Sequence, residues 1–264
     1  MGSAPHLWPQ FGGNARATGQ VASLGPVSSA VAWTFATGGA VYCSPAVGAD
    51  GAVYFTSLSD NLYAVEGASG ALRWSKPFAA QPGQYNYAAR VAAPTLGAST
   101  LFLGSSDSSF YALDLASGAT LWSYATGGAI VGGSALGNDL VFFGSWDYKL
   151  YALTAATGLL VWSATLCNPI VDAPVFDASS GALFVTCGGV TNNNPNLYRI
   201  NPATGATVWS ITPSTTGVSG LTPLSVDASS NVYFGSSGNF DPQYYTVSAQ
   251  SAFVLRRGVG IRYE

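Results

Sequence analysis

One histidine, His6, and three cysteines, Cys43, Cys167 and Cys187, are the side chains from which nucleophilic or metal chemistry would have to be built. A Ser-His-Asp or Cys-His nucleophile needs its base within hydrogen-bond reach, and His6 stands ahead of the repeated part of the chain. No CxxC pair and no adjacent cysteines occur, so the spacing supports neither a zinc site nor a dense disulfide framework. Buried small thiols are the expectation, with a bridge from Cys167 to Cys187 as the alternative. The acidic residues are scattered too. Asp107 in "GSSDSS" and Asp147 in "GSWDYK" stand at matching places before tyrosines and read as turn residues closing hairpins. Asp177 in "DASSG" and Asp227 in "DASSN" each offer one carboxylate, which suits a turn better than calcium. No Walker loop, HExxH or EF-hand spacing is present. These residues predict no catalytic site and no metal site.

What the chain does offer is repetition. Tyr63, Tyr111, Tyr151 and Tyr198 are each followed at +7 by glycine (Gly70, Gly118, Gly158, Gly205) and at +11 by tryptophan (Trp74, Trp122, Trp162, Trp209). Upstream of each tyrosine stands a strand-like run: "AVYFTS", "TLFLGSS", "LVFFGS" and "ALFVTC". Before those come small-residue phrases, "SPAV", "APTL", "GSAL" and "APVF". Four short β segments per unit, within about 40–48 residues, predict a propeller blade. The glycine suits a tight hairpin with positive φ. The tryptophan on the outer strand can cover the seam with a neighbouring blade, burying about 150–250 Å². The repetition therefore marks a stacked structural unit.

Composition agrees. Only 8% of residues are charged and 32 are glycine, which disfavours surface helices and favours short strands joined by small-residue turns. The net charge of -3 and pI near 4.9 leave no basic stripe to neutralise phosphates, so no nucleic-acid partner is expected. No apolar run is long enough for a transmembrane segment. The opening "MGSAPHLWPQFGG" lacks the charged and apolar regions of a signal peptide. The Ser/Thr/Asn-rich, Lys-poor composition favours an extracellular or cell-envelope location.

The predicted fold is all-β: a β-propeller of four-stranded antiparallel blades with five repeat units. Residues 1–20 read as a lead-in, 21–255 as the propeller and 256–264 as a C-terminal tail. Trp33 in "AWTFATGG" (32–39) reads as an outer strand without preceding strands. In the fifth unit Tyr245 has Ala252 at +7 and Arg256 at +11, so glycine and tryptophan are both lost. The N-terminal strand is therefore expected to complete the last blade and close the ring. A fragment of a larger propeller is the alternative.

The phrase "ALDLASGATLW" resembles the tryptophan-docking motif A-x-D-x-x-T-G-x-x-x-W of the PQQ-like quinoprotein propellers, at Ala112, Asp114, Ser117, Gly118 and Trp122. Looser copies keep Ala64, Glu66, Gly70 and Trp74, then Ala152, Thr157, Gly158 and Trp162; the fourth has Arg199 and Asn201 for the alanine and aspartate. "WPQFGGNARATG" (8–19) is similar to the lead-in of such propellers. The resemblance implies one of several activities. Members binding pyrroloquinoline quinone (PQQ) are alcohol or sugar dehydrogenases, usually of eight blades, with calcium ligands, a catalytic aspartate and often a vicinal disulfide. Other relatives are cofactor-free scaffolds, such as the bacterial outer-membrane assembly lipoprotein, or domains appended to adenylate-forming enzymes. Without adjacent cysteines or a matching acidic set, no cofactor is predicted, with PQQ and calcium kept as the alternative.

Insertions mark the face of interest. Three connections are long: "SKPFAAQPGQYNYAAR" (75–90), "GGVTNNNPN" (188–196) and "SGNFDPQ" (237–243). In antiparallel blades the second-to-third turns and the fourth-to-first connections share one face, where recognition usually lives. That face is expected to display Tyr85, Tyr87, Arg90, Trp146, Tyr148, Lys149, Asn192, Asn193 and Asn194. Aromatics with amides and an arginine suit a protein, peptide or glycan partner. The expected function is a non-catalytic binding or scaffold module. The alternatives are a PQQ-dependent dehydrogenase, or a fragment of one, and an accessory domain of a larger enzyme.

Overall fold

The structure, a computed structural model, describes residues 10, 14, 17, 30–78, 92–166, 169–187, 196–212, 218–221, 223–238, 243–248 and 254–259. Every assigned element is a strand. The first sheet runs β1 (Ala46–Val47), β2 (Val53–Ser57), β3 (Asn61–Val65), β4 (Leu72–Pro77). The second runs β5 (Thr95–Leu96), β6 (Thr100–Gly104), β7 (Ser109–Asp114), β8 (Thr120–Ala125). The third comprises β9 (Ser134–Gly137), β10 (Leu140–Gly144), β11 (Lys149–Thr154) and β12 (Leu160–Thr165). The fourth comprises β13 (Val175–Asp177), β14 (Ala182–Cys187), β15 (Asn196–Ile200) and β16 (Thr207–Ile211). The fifth holds β17 (Val218–Leu221), β18 (Ser225–Val226), β19 (Asn231–Gly238), β20 (Gln243–Ser248) and β21 (Val254–Val259). All pairings are antiparallel between neighbours in the chain, except that β19 receives both β17 and β18.

The chain divides into two compact units, residues 1–14 with 19–134, and residues 15–18 with 135–264. In each, the middle strands are covered on both faces. Leu101, Phe102 and Leu103 in the first unit, and Val141, Phe142 and Phe143 in the second, are buried without alternation, as expected of strands packed on both sides. The core of the first unit joins its two sheets through Tyr54, Leu62, Leu96 and Leu113. In the second, one cluster joins the third sheet to the fourth through Phe142, Trp162 and Phe176, and another joins the fourth to the fifth through Phe184, Val232 and Phe234.

The repeated glycine and tryptophan act together. Gly70, Gly118, Gly158 and Gly205 lie at φ 71°, 72°, 71° and 74°. Each amide donates four residues back, to Glu66, Asp114, Thr154 and Asn201 at 2.7–2.9 Å. Against three of these turns rests the tryptophan of the preceding repeat. Trp33 lies on Gly70, Trp74 on Gly118 and Trp162 on Gly205, where a Cβ would stand 2.6–2.7 Å from the indole. Each Nε1–H donates to a carbonyl of the turn it covers: Gly67 at 2.7 Å, Leu115 at 3.3 Å and Pro202 at 2.8 Å. The indole thus buries its apolar body and satisfies its one donor. The motif's acidic position caps the same turn. Asp114 Oδ1 accepts the Ser117 amide at 2.8 Å, and Asn201 Oδ1 that of Ala203 at 2.9 Å. In the first sheet Glu66 instead takes Arg73, which also reaches Asp50.

One expectation is corrected. Residues 30–45 carry no assigned strand, although Trp33 docks as its counterparts do. The fourth place of the last sheet is taken by β21, which pairs Tyr245 with Arg257 and Thr246 with Arg256. Among the described residues, the N-terminal segment contributes no strand to that sheet. β21 runs through Arg256 and Arg257 to Val259. Backbone pairing needs no tryptophan, so losing the two landmark residues hid a strand that still forms.

Cysteine chemistry also differs from expectation. Cys187 is disulfide-bonded and Cys43 carries a free thiol, whereas buried thiols were the expectation and a bridge at Cys187 the alternative. Cys167, the partner considered from sequence, lies outside the described residues.

Candidate binding face

The turns between second and third strands are built on a buried serine. Ser57, Ser105 and Ser145 are 1%, 3% and 0% exposed. Each Oγ accepts the amide two residues on, from Ser59, Asp107 and Asp147 at 3.2–3.3 Å. The residue that completes the bend is left-handed: Asp60 at φ 60°, Ser108 at 68° and Tyr148 at 69°. Asp107 then closes its turn twice, accepting the Ser109 amide at 2.9 Å and the Tyr111 hydroxyl at 2.7 Å. Asp147 repeats this with the Lys149 amide at 3.2 Å and the Tyr151 hydroxyl at 2.5 Å. Burial first, and then the Asp107 bond, push the Tyr111 hydroxyl above its ordinary range. The turn reading of both aspartates is correct, and the repeated tyrosine is explained as the partner that holds them.

The connections between sheets lie against these turns. In the first unit the Thr126 amide donates to Ser108 O at 2.8 Å and the Ile130 amide to Ser105 O at 3.0 Å. In the second, Leu166 donates to Tyr148 O at 2.8 Å and Ile170 to Ser145 O at 3.2 Å. Within each unit, then, turns and connections form one face, as expected.

The third sheet's turn differs from the second's in side chains, not in backbone. Where the second sheet has Ser106, Ser108 and Ser109, the third has Trp146, Tyr148 and Lys149. Trp146 and Lys149 are half-buried, and Tyr148 is 44% exposed. These three candidates stand together on one bend. Tyr85, Tyr87, Arg90, Asn192, Asn193 and Asn194 lie outside the described residues. The turn serines escaped the sequence reading, although they recur six residues before each tyrosine in the first three sheets. Register places Cys187 at the same position in the fourth sheet, since Val185 pairs with Tyr198 as Phe143 pairs with Tyr151. The disulfide-bonded residue thus replaces the capping serine where the turn is lengthened.

Among the described residues no three His, Cys, Asp or Glu side chains converge on a point that could hold a metal. The carboxylates serve their own turns. Asp177, fully buried, accepts from the hydroxyls of Ser179, Ser180 and Ser230 at 2.6–3.0 Å. Asp227 accepts from Asn231 and Tyr233 at 2.9 Å. Burial raises the Asp227 pKa, but the bonds from Asn231, Tyr233 and Ser229 outweigh it and hold the carboxyl below its usual range.

Four-stranded antiparallel sheets in chain order, fastened by an indole on the next hairpin, define the class of β-propellers. The chain belongs to the PQQ-like repeat family, whose model, described as outer membrane protein assembly factor BamB, matches residues 17–166 and 106–241. No curated protein matches the sequence. Solved structures share the fold at low identity. BamB from Moraxella catarrhalis is 18% identical with a TM-score of 0.64, over 79% of this chain and 61% of its own. A europium-containing methanol dehydrogenase is 15% identical with a TM-score of 0.80, over 98% and 59%. Quinohemoprotein alcohol dehydrogenase ADHIIG from Pseudomonas putida HK5 is 16% identical with a TM-score of 0.75, over 97% and 48%. The chain thus spans between 48% and 61% of the length of these proteins. Among the described residues no helix is long and apolar enough to cross a membrane.

Proposed function

We propose that the chain is a non-catalytic binding module whose partner, a protein segment, docks on the turn carrying Trp146, Tyr148 and Lys149, and that it works in the cell envelope. The observation that carries this reading is Tyr148. A bulky residue at φ 69° costs about 1 kcal/mol that asparagine or glycine would largely avoid. The residue is nevertheless 44% exposed, so packing covers it only in part. Strain kept at an exposed aromatic points to recognition. A family model described by an assembly factor supports the same reading.

Tyr148→Asn is expected to raise the unfolding free energy by about 0.5–1 kcal/mol and to weaken retention on a peptide array at least tenfold. Trp146→Ala should also lose peptides. A chain that retains glycans and no peptides overturns the reading.

The dehydrogenases among the solved structures favour a second reading, a quinoprotein or part of one. Melting with added PQQ and calcium decides between them. A ligand bound only to the native state raises the melting temperature. No shift and no dye reduction are expected, and a clear rise in both would make the second reading the better one.

A further inference from the structure

We propose that the partner of the Trp146–Tyr148 turn is an extended, uncharged polypeptide strand that adds to the outer edge of β12. The proposal rests on the binding-module reading above and names the partner's conformation and chemistry.

β12 is the last strand of its sheet, with β11 on one side only. The Leu166 amide donates to Tyr148 O, and Ala164 and Trp162 are in register with Leu150 and Ala152. In an antiparallel ladder alternate residues direct both backbone groups to the partner strand. Counting back from Leu166 therefore puts Ala164 and Trp162 on the paired side. Ser163 and Thr165, both exposed, present their N–H and C=O outward. Below them the register shifts, and the bulge leaves Val161 unmatched. The regular part of the edge is thus the part at the Tyr148 end of the sheet.

Exposed edges are normally guarded by charge or proline. β4 carries Arg73, Lys76 and Pro77, and β21 carries Arg256 and Arg257. β12, "LVWSAT", carries none, and neither do β8 and β16, so the exposed apolar run sets β12 apart. Leu159, Leu160 and Val161 stand 68%, 46% and 47% exposed in succession, whereas β8 exposes one large apolar side chain, Leu121, and β16 one, Val208. An edge of alternating donors and acceptors selects its occupant. An extended backbone matches that spacing, and a helix, with its own groups already paired, does not. β12 itself carries no charge and the adjacent Lys149, paired with Thr165, disfavours a basic strand, so alternating β-branched and hydroxyl residues are the best match.

The test uses the full chain against an array of ten-residue peptides alternating Val, Ile, Thr and Ser, each paired with a version carrying proline at alternate positions. The unsubstituted peptides are expected to be retained and the proline versions lost. For the tightest peptide, amide exchange of Ser163 and Thr165 should slow at least tenfold on binding. Ser163→Pro removes one outward N–H, which an edge strand tolerates, and should weaken binding at least tenfold at an unchanged melting temperature. Val161→Lys guards the edge without touching the backbone, so it serves if the proline variant fails to fold. Peptide binding that survives both variants but is lost in Tyr148→Asn overturns the edge proposal and leaves the turn as the site. Retention of no peptide overturns both. Dimerisation that Ser163→Pro abolishes, with no peptide bound, makes a second copy of the chain the occupant and overturns the proposal.

Discussion

Trp162→Ala is expected to lower the unfolding free energy by about 3–5 kcal/mol, measured by denaturant titration. Trp162 is 8% exposed, tilts against Phe142 at 6.0 Å between centroids, and covers the turn of the next sheet. Truncation leaves a cavity between two sheets and strands the Pro202 carbonyl, which now accepts the indole N–H at 2.8 Å. The complementary change tests the same contact from the other side. A Cβ at Gly205 would stand 2.6 Å from the indole, on a backbone at φ 74°. Gly205→Ala should therefore cost about 2–4 kcal/mol, part from the clash and part from the left-handed backbone. In the double variant the clash disappears with the indole and only the backbone part remains. A coupling of about 1–2 kcal/mol between the two is expected. Strict additivity would mean that the indole and the glycine turn do not act as one device.

The second large effect is at Asp177. Its carboxylate has no exposed surface and accepts hydroxyls from Ser179 and Ser180 of its own turn and from Ser230 of the fifth sheet, the last at 2.6 Å. Ser230 is itself buried and sits at φ 61°. Asp177→Ala removes the carboxylate acceptor of the buried Ser230, whose hydroxyl keeps only that of the exposed Ser179 at 3.0 Å, and a loss of about 1–3 kcal/mol is expected. Asp177→Asn keeps the shape but presents an amide to hydroxyl donors, so it should recover less than half of that loss. Ser230→Ala in the Asp177→Ala background should then cost little, because its acceptor is already gone. If Asp177→Ala unfolds at the same denaturant midpoint as the parent, the bond between the fourth and fifth sheets contributes nothing.

Much of this molecule is legible in the order of its residues because a repeat states its rules several times. Tyrosine, glycine at +7 and tryptophan at +11 mark the third strand, its left-handed hairpin and the outer strand, and each performs the packing role its chemistry suggests. The turn roles of Asp107, Asp147, Asp177 and Asp227 were likewise readable, since lone carboxylates among serines and glycines cap local amides. Where the landmarks lapse, so did the reading. β21 forms through backbone pairing that Arg256 neither announces nor prevents.

The candidate site was only half visible. That Trp146, Tyr148 and Lys149 share a turn follows from adjacency, but the strain at Tyr148 does not. Ser108 and Asp60 occupy the same bend with small side chains, and only the backbone angle shows that a tyrosine is held in a conformation it disfavours. The buried serines needed the tertiary structure as well, because an Oγ at the end of a strand is ordinary until the connection to the next sheet closes over it.

By itself the sequence determined the strand class, the blade period, the glycine hairpins and the net charge of -3, all of which depend on residue type and short-range spacing. Tertiary structure decided which carbonyl each indole meets, that Cys187 takes a serine's place as a disulfide-bonded residue, that β21 fills the last sheet, and which outer strand keeps an unguarded edge beside an aromatic turn. The physical reason is range. Local rules act over one turn of chain, whereas docking, bridging and edge exposure depend on residues some forty positions apart, as Trp162 and Pro202 are.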